Sequence, residues 1–160
     1  MKKTLVAYFS ASGITEKVAK NLSQVLGADR YEITPKTPYT DADLAWSNST
    51  SRTSLESKDP SCRPPIVPTD AHIADYDTIF LGFPIWWYAA PHIVKTFLEA
   101  YDFAGKTIVV FATSGGSKFG NTIPFLKGSC SDDVTWVQGE VLNGDPSLGK
   151  LTEWVNSLKL

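Results

Sequence analysis

Three short stretches of this chain combine residue types that could hold a ligand. The first is Ser10-Ala11-Ser12-Gly13-Ile14-Thr15, which ends where an amphipathic helix begins. It offers hydroxyls, a glycine and backbone N–H groups at a helix N-terminus, where unpaired N–H donors and the helix dipole both favour an anion. It carries neither G-x-x-x-x-G-K-[ST] nor G-x-G-x-x-G, so it is not a nucleoside-triphosphate loop or a dinucleotide fingerprint. The competing reading is a plain helix cap, with Ser12 as the cap and Glu16 in the first turn. The second stretch is Pro84-Ile85-Trp86-Trp87-Tyr88-Ala89-Ala90-Pro91. Consecutive side chains of an extended segment point apart, so three adjacent aromatics cannot all enter one core. At least one should face a cleft, where a flat π-system is its natural partner. The competing reading is bulky core and rim packing. The third stretch is Thr113-Ser114-Gly115-Gly116-Ser117-Lys118-Phe119-Gly120. Its glycines permit close approach to the backbone, whose N–H and C=O groups can bond a polar ring edge. A flexible turn is the competing reading there.

These stretches need elements to position them. Thr4 to Phe9 is a short apolar run without strict alternation, the pattern of a strand buried on both faces. Ile14, Val18, Leu22 and Val25 recur at helical spacing, and Gly27 stands where that helix would stop. Arg30 to Ile33 reads as a second strand, Thr78 to Phe83 as a third and Thr107 to Ala112 as a fourth. His92 to Tyr101 reads as a helix with Pro91 in its first turn. A short helix is expected near Thr122 to Leu126, and a fifth strand from Thr135 to Val137, extendable to Leu142. Leu148, Leu151, Trp154, Val155 and Leu158 form the apolar face of a last helix. Strands alternating with helices imply parallel strands and right-handed crossovers. The expected architecture is an α/β, doubly wound, five-stranded parallel sheet with helices on both faces, in one domain spanning 1–160. On such a sheet ligands bind beyond the carboxyl ends of the strands, and all three stretches fall there.

Composition narrows the functions. The chain has 160 residues, 42% of them hydrophobic and 20% charged, with a net charge of -2. That suits one ordinary globular core. No basic surplus exists to neutralise a phosphate backbone, so nucleic acid is not expected as a partner. No apolar stretch is long enough to span a membrane. The opening MKKTLVAYFS is too short for a signal-peptide core and has no cleavage site, which predicts a first strand in a cytoplasmic protein. Cys62, Cys130, His72 and His92 are isolated, so neither a disulfide nor a metal site is expected. Residues 35–68 differ from the rest: six of the ten prolines lie there, with dense Ser and Thr and few apolar residues. A loop this long is unusual inside a compact domain and is often functional. A helix within Asp41 to Ser57 is the only element expected in it, with Leu44 and Leu55 as weak anchors.

An anion socket, an aromatic platform and a polar rim at one sheet edge suit a ligand with a phosphate at one end and a flat heteroaromatic ring at the other. Flavin mononucleotide (FMN) fits that description. At this point the chain resembles the flavodoxin family, which is itself the standard illustration of ligand binding at the switch in strand order. FSASGITEKVA resembles the family's phosphate loop and first helix, FLGFPIWWYAAP its ring-stacking loop, and FATSGGSKFG its third flavin loop. The WWY variant, with the Pro-rich stretch ending DPSCRPP, resembles a short bacterial branch more than the long-chain carriers. The resemblance implies that Ser10, Ser12, Gly13, Ile14 and Thr15 hold the FMN phosphate. It implies that Pro84, Ile85, Trp86, Trp87 and Tyr88 line the ring, and that Thr113, Ser114, Gly115, Gly116, Phe119 and Gly120 contact its polar edge. The flavin then supplies the redox chemistry, and no side chain is expected to act as a catalytic acid or base.

Two departures matter. Familiar flavodoxins are strongly acidic, whereas this chain is near neutral, its ring-side loops hold no carboxylate and the third carries Lys118. Reduced, anionic flavin should be disfavoured less here, which predicts a less negative potential. The second departure is the segment from Thr34 to Pro68, which either drapes over the flavin through Tyr39, Trp46 and Arg52 or is a surface excursion, the reading favoured slightly from sequence. Two functions follow from the resemblance: electron transfer between redox partner proteins, or an NAD(P)H-dependent reductase passing electrons to a small-molecule acceptor such as a quinone or nitroaromatic. A response regulator would need acidic residues after strand one and an Asp ending strand three, where Phe9-Ser10 and Gly82-Phe83 stand. A hydrolase would need a nucleophile–base pair, and none is visible.

Overall fold

A computed structural model describes residues 3–86, 89–114, 118–143 and 146–159. The apolar runs become strands: β1 (Thr4–Tyr8), β2 (Asp29–Glu32), β3 (Thr78–Pro84), β4 (Thr107–Thr113) and β5 (Thr135–Val141). Helices fill the intervals: α1 (Ile14–Leu26), α2 (Arg52–Lys58), α3 (His92–Ala100), α4 (Thr122–Lys127) and α5 (Leu148–Leu158). Every pairing is parallel and the order is β2-β1-β3-β4-β5. The chain therefore leaves β1 for one edge and returns to β3 on the other side, which places the switch in order between those strands. Most expected elements begin and end within a residue or two of their sequence pattern, the ordinary uncertainty of such ends.

Alternating side chains of the central strands supply two cores. Val6, Tyr8, Phe80, Val109 and Phe111 pack with Val18 and Leu22 of α1 and with Leu151 and Trp154 of α5. Leu5, Ala7, Ile79, Leu81 and Phe83 face the other way, against Ile93, Val94 and Phe97 of α3 and Leu126 of α4. Each fully buried Leu, Ile or Phe contributes about 1.5–3 kcal/mol over an exposed one. Gly82 is dictated by packing: a Cβ there would lie 2.2 Å from the ring of Phe111.

The segment after β2 narrows one expectation. The helix expected within Asp41 to Ser57 is α2, at the end of that stretch, and turns occupy 41–44. Leu55 is 55% exposed, so the apolar residues are too few to anchor a longer helix. Polar side chains bond the backbone locally instead, which competes with helix formation. Asp43 Oδ2 accepts from Thr40 N at 2.9 Å, Thr40 Oγ1 accepts from Asp43 N at 3.2 Å, and Thr53 Oγ1 donates to the Asp43 carbonyl at 2.8 Å.

Candidate functional site

The loop after β1 turns sharply into α1. Gly13 is the residue before the helix and has φ +89°, a left-handed value that glycine adopts without strain. Ser10 Oγ accepts from Gly13 N at 3.1 Å. No side chain caps α1, so the competing reading, with Ser12 as its cap, is not met. Ser10 closes the turn instead, three residues ahead of the glycine, and the first N–H groups of the helix are left to whatever sits above them. A capping side chain at this point would contribute about 1 kcal/mol. The start of α1 thus keeps the donors an anion needs.

The three stretches are joined at their bases. The hydroxyls of Thr15 and Thr113 lie 2.8 Å apart and are buried, linking the first turn of α1 to the end of β4. Ile85 N donates to the Thr113 carbonyl at 2.8 Å, linking the second stretch to the third. Ser114 N donates to Asn143 Oδ1 at 2.8 Å, which brings in the chain just after β5. Asn143 was not singled out from sequence, although a polar residue following a parallel strand stands at the same sheet edge. At the end of the third stretch Phe119 is buried and Gly120 has φ +55°, and just after it Thr122 Oγ1 donates to the Phe119 carbonyl. Ser12, Gly13 and Ile14 are exposed and Thr15 is buried. Trp87, Tyr88, Gly115 and Gly116 lie outside the described residues.

The aromatic stretch is closed by its own backbone. Trp86 and Ala89 exchange two hydrogen bonds, of 2.9 and 3.1 Å. The indole of Trp86 packs edge-on against Phe9, with ring centroids 5.6 Å apart, and against Tyr39 at 5.5 Å. Tyr39 also meets Phe9 at 5.7 Å. Residues 34–68 therefore do more than bulge from the surface, because Tyr39 is built into the aromatic cluster. Its hydroxyl donates to Glu56 Oε1 at 2.7 Å, and the Arg52 guanidinium lies 3.8 Å over its ring while bonding Glu56 Oε2 through Nε at 3.0 Å. Burial is the main reason that the Tyr39 hydroxyl is pushed far above its ordinary value, with the Glu56 bond adding to it. Tyr39 stays a neutral donor. Trp46 differs: it is 76% exposed and takes no part in this cluster.

Further along, residues 34–68 form a strap that is pinned to α3. Arg63 Nε meets both carboxylate oxygens of Glu99 at 3.0 Å, and His92 Nδ1 lies 3.3 Å from the Cys62 carbonyl. A carbonyl only accepts, so Nδ1 carries the hydrogen. Burial holds the His92 imidazole below its ordinary pKa, so at neutral pH its Nε2 is an acceptor. Burial also raises both thiols, Cys130 to about 11, which leaves them protonated and unreactive. Between the strap, the aromatic stretch, α3 and α4 lies a cavity of about 210 Å³. Trp86, Pro91 and Phe125 form its apolar walls, and Glu56, His92 and Asn121 line it with polar groups.

The model of a family described as Flavodoxin matches residues 3–158. The chain belongs to the flavodoxin family. A candidate flavoprotein from Bacteroides eggerthii is 44% identical, with a TM-score of 0.92 over 100% of this chain and 99% of its own. Another, from Bacteroides uniformis, is also 44% identical, with a TM-score of 0.90 over 97% and 98% of the two chains. A flavoprotein from Lactobacillus acidophilus, solved in complex with FMN, shares the fold at 22% identity and a TM-score of 0.66, over 86% of this chain and 91% of its own. Curated proteins provide no match. The doubly wound, five-stranded parallel sheet is the architecture that the sequence resemblance implied. Among the described residues, no helix is long and apolar enough to cross a membrane.

Proposed function

We propose that this protein binds FMN and passes electrons through it. The observation that carries this reading is the start of α1, where a left-handed Gly13 and the absence of a capping side chain leave helix donors for a phosphate. Ser10, Ser12, Gly13, Ile14 and Thr15 would hold that phosphate. Pro84, Ile85, Trp86, Trp87 and Tyr88 would line the ring, with Thr113, Ser114, Gly115, Gly116, Phe119 and Gly120 at its polar edge. Four of these act from beneath: Thr15, Ile85, Thr113 and Phe119 are buried, so they support the loops from within. The flavin, when bound, supplies the redox chemistry. The protein's own part is to orient it, and the bonds from Thr15 to Thr113 and from Ile85 to Thr113 fix the three loops against one another.

An absorption spectrum of the purified protein tests this. The expected result is visible flavin bands and release of FMN on denaturation. A protein that stays colourless after soaking in FMN and desalting overturns it. One observation favours a reductase over a carrier between proteins: a cavity of single-ring size beside Trp86, walled on one side by Thr53, Glu56 and Ser57. Steady NAD(P)H oxidation with a small acceptor supports the reductase; turnover only with a reductase protein supports the carrier.

A further inference from the structure

The cavity behind the aromatic stretch has a chemistry of its own. It measures about 210 Å³. That is below the ~300 Å³ at which ordinary ligand pockets begin, so the occupant has one ring. Trp86 and Phe125 offer aromatic walls and Pro91 a flat aliphatic one. The polar lining accepts more than it donates. His92 gives its only hydrogen to Cys62 and leaves Nε2 free to accept. Glu56 receives one bond on each carboxylate oxygen, from Tyr39 and Arg52, and a carboxylate has about four acceptor sites. Asn121 adds an amide that can do either.

Charge excludes the alternatives. Among the described residues no Lys or Arg side chain lines the cavity, so a phosphate or carboxylate would find no cation in its walls. A cationic amine gains little, because Arg52 already neutralises Glu56 at 3.0 Å, and Lys95 and Arg63 stand close enough to His92 to oppose its protonation. What remains is a neutral aromatic ring that brings hydroxyl donors.

We propose that the cavity between α2, the Trp86–Ala89 turn, α3 and α4 binds a small neutral phenol, its ring against Trp86 and Phe125 and its hydroxyls donating to His92 Nε2 and Glu56. As the site of a reduced product, such as the hydroquinone formed when a quinone takes two electrons and two protons, it rests on the reductase reading above; as a binding site it stands without it. The test is titration calorimetry of the purified protein, with flavin content recorded by absorption. Resorcinol is the probe, and 1,3-difluorobenzene is a near-isosteric control without donors. Expected is saturable resorcinol binding, with the control roughly tenfold weaker or more, since unmet acceptors cannot be repaid by fluorine. His92→Phe should weaken resorcinol roughly fivefold to tenfold. Ser57→Phe, which pushes a ring into the cavity from the half-exposed face of α2, should abolish binding. Thermal unfolding of each variant confirms that it folds. Equal binding of probe and control, no binding of either, or resorcinol binding that survives Ser57→Phe overturns the proposal, the last by placing the probe elsewhere. Resorcinol binding to a protein that takes up no FMN keeps the cavity and overturns the proposed function. FMN uptake without discrimination between the two rings does the reverse.

Discussion

Substituting Thr113 by Val tests whether the loops are held as a unit. The exchange keeps the shape of the side chain and removes one of two buried hydroxyls that meet at 2.8 Å. Thr15 is 2% exposed and Thr113 is 4% exposed, so water cannot easily replace the lost partner. An orphaned buried hydroxyl costs about 1–3 kcal/mol, whereas removing both partners together is close to neutral. For a chain of this length 1 kcal/mol moves the unfolding midpoint by about 2–4 °C. Thr113→Val and Thr15→Val should therefore each lower the midpoint by about 2–12 °C. The double variant should lie nearer the parent than either sum implies. A four-protein thermal-unfolding cycle reads the coupling directly. Each single variant should also bind FMN more weakly, because the phosphate turn loses its tie to β4. Additive losses, or single variants that unfold like the parent, would refute the idea that this contact joins the loops.

Other outcomes follow from the same structure. Gly82→Ala forces a methyl to within 2.2 Å of the Phe111 ring, inside a fully packed core, and should destabilise by about 1–3 kcal/mol or more in denaturant unfolding. An unchanged midpoint would mean that the sheet yields there. The Glu99 carboxyl is held below its ordinary 4.5, chiefly by Arg63. Its contribution is complete above pH 4.5 and fades as pH falls through the lower folded value. Glu99→Gln should flatten the acid limb of stability there, modestly, because Glu99 is 40% exposed. The buried imidazole of His92, depressed mainly by desolvation, acts in the same direction from 6.5 downward, and His92→Phe should remove that loss on acid titration of the unfolding midpoint. The potential of bound flavin should be less negative than in strongly acidic flavodoxins, since the chain carries only -2; a redox titration giving an equally low value would count against it.

The sheet was legible because its signals are local. TLVAY, TIFLGF and TIVVFA are apolar runs bounded by turns, and each becomes a strand buried on both faces. The turn before α1 was legible as a location, and its competing reading, Ser12 as a cap, is not what forms. Ser12 has the right chemistry to cap a helix, but the left-handed Gly13 hands the turn to Ser10. The strap was legible only as an anomaly. What shapes it joins distant residues: Arg63 with Glu99, Cys62 with His92, Tyr39 with Phe9 and Trp86. No periodicity encodes such pairs. Tyr39 and Arg52 were singled out as candidates and found a role together; Trp46, chosen on the same grounds, did not.

The uncapped start of α1 has a consequence for the life of the protein in a cell. A helix that finds its cap only in a cofactor leaves the unliganded molecule short of a favourable interaction that most helices carry in their own sequence. A ligand bound only by the folded form, at a hundred times its dissociation constant, adds about 2.7 kcal/mol. Shifts of one or two kcal/mol change how much of a protein survives chaperones and proteases several-fold. On this reading, abundance tracks flavin supply without any dedicated regulator. Molecules made when FMN is scarce are the ones that proteolysis removes.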